Sequence, residues 1–128
     1  MFTPKSAFSG FSVDDLNKAR EFYAQTLGLS VDQQSAGLLI DLPGGGTVFA
    51  YPKDDHQPAT FTILNFRVDD INQAVDELTR SGVQLERYAQ MPHIDERGIM
   101  RGRAHNMGPD IAWFKDPAGN ILSVLQDD

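Results

Sequence analysis

Phe11-Ser-Val-Asp-Asp-Leu-Asn-Lys-Ala-Arg-Glu21 is written into this chain twice. It returns as Phe66-Arg-Val-Asp-Asp-Ile-Asn-Gln-Ala-Val-Asp76, fifty-five residues on, with Phe, Val, both Asp, Asn and Ala unchanged. A second echo follows each copy: Pro43-Gly-Gly-Gly-Thr-Val48 answers Pro117-Ala-Gly-Asn-Ile-Leu122, each a turn that opens into an apolar run. Similar segments in the same order are the signature of one supersecondary unit used twice. Within each copy the apolar period changes at the Asp pair. Before it, residues alternate as in a half-buried strand; after it they recur at helical spacing.

Working outward, residues 7–13 predict a strand with Phe11 and Val13 on one face and Phe8, Gly10 and Ser12 on the other. Asp14 and Asp15 open a helix, since a carboxylate there accepts from the free N–H groups of the first turn. Leu16, Ala19, Phe22, Tyr23 and Leu27 form its apolar stripe, and Gly28 is placed to end it in the left-handed conformation. Strands over 29–34, 37–42 and 46–51 follow. The triple glycine 44–46 is a hairpin turn and no phosphate loop, because it leads into Thr47-Val-Phe-Ala-Tyr51 and not into a Lys-Ser/Thr helix. Module two repeats the order: strand 60–68, helix 69–81 with Ile71, Ala74, Val75 and Leu78 inward, Gly82 as its stop, then strands 83–88, 110–115 and 120–126. The expected fold class is α+β, two tandem βαβββ modules: module one over 7–51, a linker over 52–59 and module two over 60–126, together one domain over 1–128. One departure breaks the symmetry. Between Tyr88 and Asp110 some twenty residues stand where module one spends a few, and a run that long is expected to act as a lid or to be disordered.

With 128 residues and 41% hydrophobic content the chain suits one domain of ordinary size. Eleven basic against eighteen acidic residues give a net charge of −7, which repels polyanions and argues against nucleic acid as a partner. No apolar run has the length of a membrane span. Cysteine is absent, which removes disulfide and thiolate chemistry. The N-terminal Met1-Phe-Thr-Pro-Lys-Ser6 lacks a signal-peptide core, so a cytoplasmic location is expected. His56, His93 and His105 all fall in expected loops, with no His-x-x-x-His or His-x-Glu spacing in a helix or strand; His93-Ile-Asp-Glu96 is the nearest thing to a cluster and reads as a solvated turn.

Two segments carry a family resemblance. Val13-Asp-Asp-Leu-x-x-Ala-x-x-Phe-Tyr-x-x-x-Leu-Gly28 and Phe114-Lys-Asp-Pro-Ala-Gly-Asn120 resemble the vicinal oxygen chelate superfamily, which groups glyoxalase I, extradiol dioxygenases, fosfomycin-inactivating enzymes and bleomycin-binding resistance proteins. The resemblance implies curved sheets around a cup, homodimers, and a divalent metal in the cup held by His, Gln or Glu from the first and last strands of each module. The positions that match here are Phe8, Phe49, Ile63 and Ser123, and none is a competent ligand. A shift of one residue brings only Ala7, Ser9, Thr62, Leu64, Leu122 or Val124. No cofactor and no metal site are therefore expected.

Strand alternation then gives the cup lining. Phe8, Ser12, Phe49, Tyr51, Ile63, Asn65, Arg67, Trp113 and Ser123 face the ligand, with Tyr88 at the rim, while Leu64, Phe66, Val68, Phe114, Leu122 and Val124 pack under the helix. Aromatic walls with a few polar groups describe a small-molecule site. Asn65 and Arg67 are expected to orient a carboxylate, carbonyl or hydroxyl. Three readings remain open. The first is a metal-independent binder that sequesters an aromatic or apolar molecule, as bleomycin-resistance proteins do, without catalysis. The second is a glyoxalase-like lyase or isomerase, or a dioxygenase-type enzyme, that uses a relocated metal or takes Tyr88, Asp95 and the loop arginines as acid/base groups. The third is a structural dimer module whose cup is filled by its own side chains.

Overall fold

The computed structural model describes residues 1–128 and divides them into two compact units, Met1–Pro58 and Ala59–Asp128. The first unit runs β1 (Ser9–Val13), α1 (Leu16–Arg20) with a π-helical continuation over Glu21–Thr26, β2 (Val31–Gln33), β3 (Leu38–Asp41) and β4 (Thr47–Pro52). Its sheet has the order β1-β4-β3-β2, with β1 parallel to β4 and the other pairs antiparallel. The second unit runs β5 (Thr62–Arg67), α2 (Ile71–Arg80), β6 (Leu85–Glu86), β7 (Met100–Arg101), a short 3-10 turn over Arg103–His105, β8 (Asp110–Lys115) and β9 (Ile121–Gln126). Its order is β5-β9-β8-β6, again with first and last strands parallel, and β7 also pairs with β8. The repeat in the sequence is thus a repeat of topology.

Both helices begin where the Asp pairs require. Asp15, in extended conformation, accepts from the Lys18 N–H at 3.1 Å, and Asp70 accepts from the N–H groups of Asn72 and Gln73 at 3.0 and 3.2 Å. Gly82, at φ +91°, ends α2 in a two-bond cap: its N–H reaches the Thr79 carbonyl and the Val83 N–H reaches that of Leu78. The first helix departs from expectation. Past Arg20 it winds as a π-helix, with Leu27 N–H on the Phe22 carbonyl and Leu29 N–H on that of Tyr23. A wider turn brings adjacent residues nearer to one face than the 100° per residue of an α-helix. Phe22 and Tyr23 are such a pair. Tyr23 is wholly buried, 5.7 Å from the Phe11 ring and 5.2 Å from that of Phe22.

In unit one the buried face is Phe11, Val13, Leu38, Ile40, Val48 and Ala50, met by Ala19 and Tyr23 from the helix. In unit two Ile71 and Val75 of α2 pack on Ala112 and Val124, with Ile99 completing the cluster. The turn before β9 is held by a buried carboxylate: Asp116 accepts from the N–H groups of Ala118 and Asn120 at 3.0 and 2.8 Å and from the Asn120 amide at 3.2 Å. Asn120 Oδ1 in turn accepts from the Ala59 N–H, tying the start of the unit to its last turn.

The long connection folds against the edge of the second sheet. Residues 93–101 form a small hairpin, with Asp95 N–H on the Ile99 carbonyl, Arg101 N–H on that of His93 and Gly98 at φ +88° in the turn. Ile99 is wholly buried. Leu85 pairs with Phe114 and Glu86 with Trp113; then Met100 and Arg101 resume the same edge opposite Ile111 and Asp110. The fourth strand of this sheet is therefore one strand in two pieces, interrupted by the hairpin. No helix is long and apolar enough to cross a membrane.

Candidate ligand-binding site

On the face of the second sheet opposite α2, register aligns Asn65 with Ser123, Ser123 with Trp113 and Trp113 with Glu86. These four sit on one face because α2 covers Ala112 and Val124, their neighbours in the alternation. The Ser123 hydroxyl, wholly buried, donates to Asn65 Oδ1 at 2.5 Å. That bond leaves the amide nitrogen of the exposed Asn65 as the group offered outward. At the other end of the row Tyr88 stands edge-on to Trp113, ring centroids 5.6 Å apart and planes at 74°. The Tyr88 hydroxyl is buried and has no hydrogen-bond partner. Burial, then the Glu86 charge, push its pKa upward, so the group stays a phenol and a donor at neutral pH. Asn65, Tyr88, Trp113 and Ser123, read from the sequence as ligand residues, are thus brought together.

Two others depart from expectation. Arg67 was expected to orient a ligand, but its Nε donates to Asp127 at 2.8 Å; this pairing raises the arginine's pKa and lowers the aspartate's. Sixty residues separate the partners, so nothing local announces the pair. Ile63 falls at a bulge: Thr62 pairs with Ile121 and Leu64 with Leu122, leaving Ile63 as the extra residue. The bulge breaks the period-two phase on which the placement of Ile63 rested.

The corresponding face of the first sheet carries Gly10, Ser12, Phe49 and Tyr51, with Gly10 opposite Phe49 and Ser12 opposite Tyr51. Gly10 leaves room beside the Tyr51 ring, and Gly37 lies under that of Phe49; a Cβ on Gly37 would stand 2.3 Å from the Ala50 carbonyl oxygen. Ser12 Oγ and His56 Nδ1 are hydrogen-bonded at 2.7 Å, a contact the sequence did not reveal because the two lie 44 positions apart. Phe8 corrects another expectation. It precedes β1 and is 68% exposed, so it is no wall of this face.

The matched metal positions do not fit a divalent ion. Phe8, Phe49 and Ile63 offer carbon, and the Ser123 hydroxyl is engaged by Asn65. No group of three or more His, Cys, Asp or Glu side chains is placed to hold a metal. The turn around Asp95, expected to be solvated, is built on that carboxylate: Oδ1 accepts from the N–H groups of Arg97 and Ile99 at 2.9 and 3.0 Å, and Oδ2 from Arg101 Nε at 2.9 Å. Burial works to raise its pKa, but the Ile99 N–H, the Arg101 guanidinium and the Arg97 N–H outweigh it and the net shift is downward. A carboxylate so held is a poor proton donor near neutrality. The loop arginines are likewise structural. Arg97 and Arg101 reach Asn72 of α2, Arg97 also pairs with Asp76, and Arg87 donates to the Asp95 and Glu96 carbonyls. His93 and His105 stack with ring centroids 3.6 Å apart.

The family model for the Glyoxalase/Bleomycin resistance protein/Dioxygenase superfamily matches residues 8–124. No curated protein matches the chain in sequence. Among solved structures, a putative glyoxalase family protein from Bacillus anthracis superposes with a TM-score of 0.68 at 17% identity, covering 100% of both chains. An antibiotic binding protein from Streptomyces sp. CB03234 gives 0.66 at 22% identity, over 99% of this chain and 100% of that one. A genomically encoded fosfomycin resistance protein from Listeria monocytogenes gives 0.66 at 13%, over 99% and 96%. At these identities the likeness is one of fold.

Proposed function

Because the chain belongs to the glyoxalase/bleomycin resistance protein/dioxygenase superfamily, we propose that it uses the fold to bind a small, flat, largely apolar molecule, and that it acts by sequestration and not by catalysis. One observation carries this reading: the row Tyr88–Trp113–Ser123–Asn65 on one sheet face, which joins aromatic surface to a few fixed polar groups. Two others support it. Hydrocarbon side chains stand at three of the four places where relatives are expected to hold an ion, and Asp95, the carboxylate read from the sequence as an acid/base candidate, is held by backbone N–H groups and Arg101. A neighbour of the same fold is an antibiotic binding protein, although at 22% identity it lends no ligand.

The test is direct, since Trp113 is the sole tryptophan. Purified protein is titrated with a panel of aromatic neutral, cationic and anionic compounds while Trp113 emission is followed. Saturable quenching by some of them is expected. Silence across the panel, or stoichiometric Zn, Ni, Fe or Mn in protein prepared without chelators, would overturn the reading. We further propose that the protein is a homodimer, as the family resemblance implies; light scattering at micromolar concentration should return twice the 14.2 kDa chain mass.

A further inference from the structure

The Tyr88 hydroxyl is an anomaly. Buried side-chain polar atoms nearly always have a partner, and leaving one without costs free energy that the fold must offset elsewhere. This one is also closed off from bulk solvent. The other polar groups of this sheet face and its edges are accounted for. Glu86 pairs with Lys115 at 3.5 Å, Arg67 with Asp127, and the Ser123 hydroxyl is spent on Asn65. Three unspent donors remain on this face, the Tyr88 O–H, the Trp113 indole N–H and the Asn65 amide N–H, with an edge-on pair of aromatic rings at one end. Trp113 and Asn65 lie two interstrand spacings apart, about 10 Å. Donors without acceptors, and charges already paired, describe the complement of an uncharged molecule rich in acceptors.

On the binding reading above, we propose that the ligand is an uncharged aromatic compound carrying a carbonyl-type oxygen, such as an aryl ketone or lactone, and that Tyr88 is the residue that donates to it. Access requires the Tyr88 ring to turn. Tyr88 lies beyond β6 and before the hairpin, outside either ladder, and a turn bond from the Met91 N–H holds its carbonyl, so the ring rotates without breaking a sheet hydrogen bond. Cations are disfavoured, because no free carboxylate faces the row.

Three bicyclic probes of similar outline separate the alternatives: coumarin, which carries the carbonyl; naphthalene, which lacks it; and 1-naphthylmethylammonium, which is charged. Affinities are measured by calorimetry and Trp113 emission for the wild type and for Tyr88→Phe. In the wild type coumarin should bind about three- to tenfold tighter than naphthalene, the worth of one neutral hydrogen bond. Tyr88→Phe should erase that preference and leave naphthalene unchanged. A coumarin preference that survives in Tyr88→Phe, equal binding of coumarin and naphthalene to the wild type, or tightest binding of the cation would overturn the inference while leaving the binding function standing. If none of the probes binds, both fall.

Discussion

Ile99→Ala tests whether the hairpin over 93–101 is part of the folded core or an appendage. Ile99 is wholly buried among Ile71, Val75, Ala112 and Val124. Truncation to alanine removes three carbons, a transfer loss of about 2.4 kcal/mol at roughly 0.8 kcal/mol per carbon. A residual cavity adds about 24 cal/mol per Å³, and one of roughly 40 Å³ brings the total to about 3–4 kcal/mol. That is a large fraction of the stability of an ordinary domain. Urea unfolding at pH 7, followed by both far-UV circular dichroism and Trp113 emission, reads the loss as a fall in midpoint with unchanged slope. Met91→Ala, at a side chain 37% exposed in the same connection, is the control and should cost under about 1 kcal/mol. A loss below about 1 kcal/mol for Ile99→Ala would mean that the hairpin does not contribute to the core, and the reasoning about the split strand would be wrong.

Acid should unfold the second unit partly through Asp95. Its folded pKa lies below the unfolded value, so between the two the unfolded chain binds more protons; the stabilisation is complete above the unfolded pKa, near 4, and is lost as pH falls through the lowered folded value. Asp95→Asn should flatten that limb of a stability-versus-pH curve measured from pH 2 to 6, and an unchanged limb would refute the assignment. Gly37→Ala should cost about 2 kcal/mol or more by thermal or urea unfolding, because the new Cβ meets the Ala50 carbonyl oxygen and the backbone has to move. Tyr88→Phe, measured without ligand, should raise stability by about 1–2 kcal/mol, since it removes a hydroxyl that is buried and unpaired; a loss of stability would show that the hydroxyl has a partner after all.

The repeat made the fold legible. Asp15 and Asp70 cap the helices, Gly28 and Gly82 end them at φ +73° and +91°, and alternation put Phe11, Val13, Phe114, Leu122 and Val124 on the buried faces. What stayed hidden is what short-range pattern does not encode. A π turn uses the same residues as an α turn and differs only in which carbonyl each N–H meets. Met100 and Arg101 make a strand too short to alternate, recognisable only from the edge of β8 that they complete. The site divides in the same way. Asn65, Trp113 and Ser123 follow from strand phase, whereas Arg67–Asp127 and Ser12–His56 are contacts across long separations between residues with no distinguishing context. The bulge at Ile63 shows how one inserted residue is enough to mislead a count by twos.

The interrupted strand has a consequence for how such a protein changes over generations. Glu86 leaves the edge of β8 opposite Trp113, and the chain rejoins it at Met100 opposite Ile111, so the pairings of β8 with β9 and of β9 with β5 owe nothing to how many residues are spent in between. Lengthening or exchanging residues 89–92, all exposed, alters a surface feature beside Tyr88 and leaves that hydrogen-bond lattice, and the buried Ile99 further along, as they were. A lineage is free to vary its chemistry there first, and an engineer who wishes to graft new recognition onto this chain has the same opening.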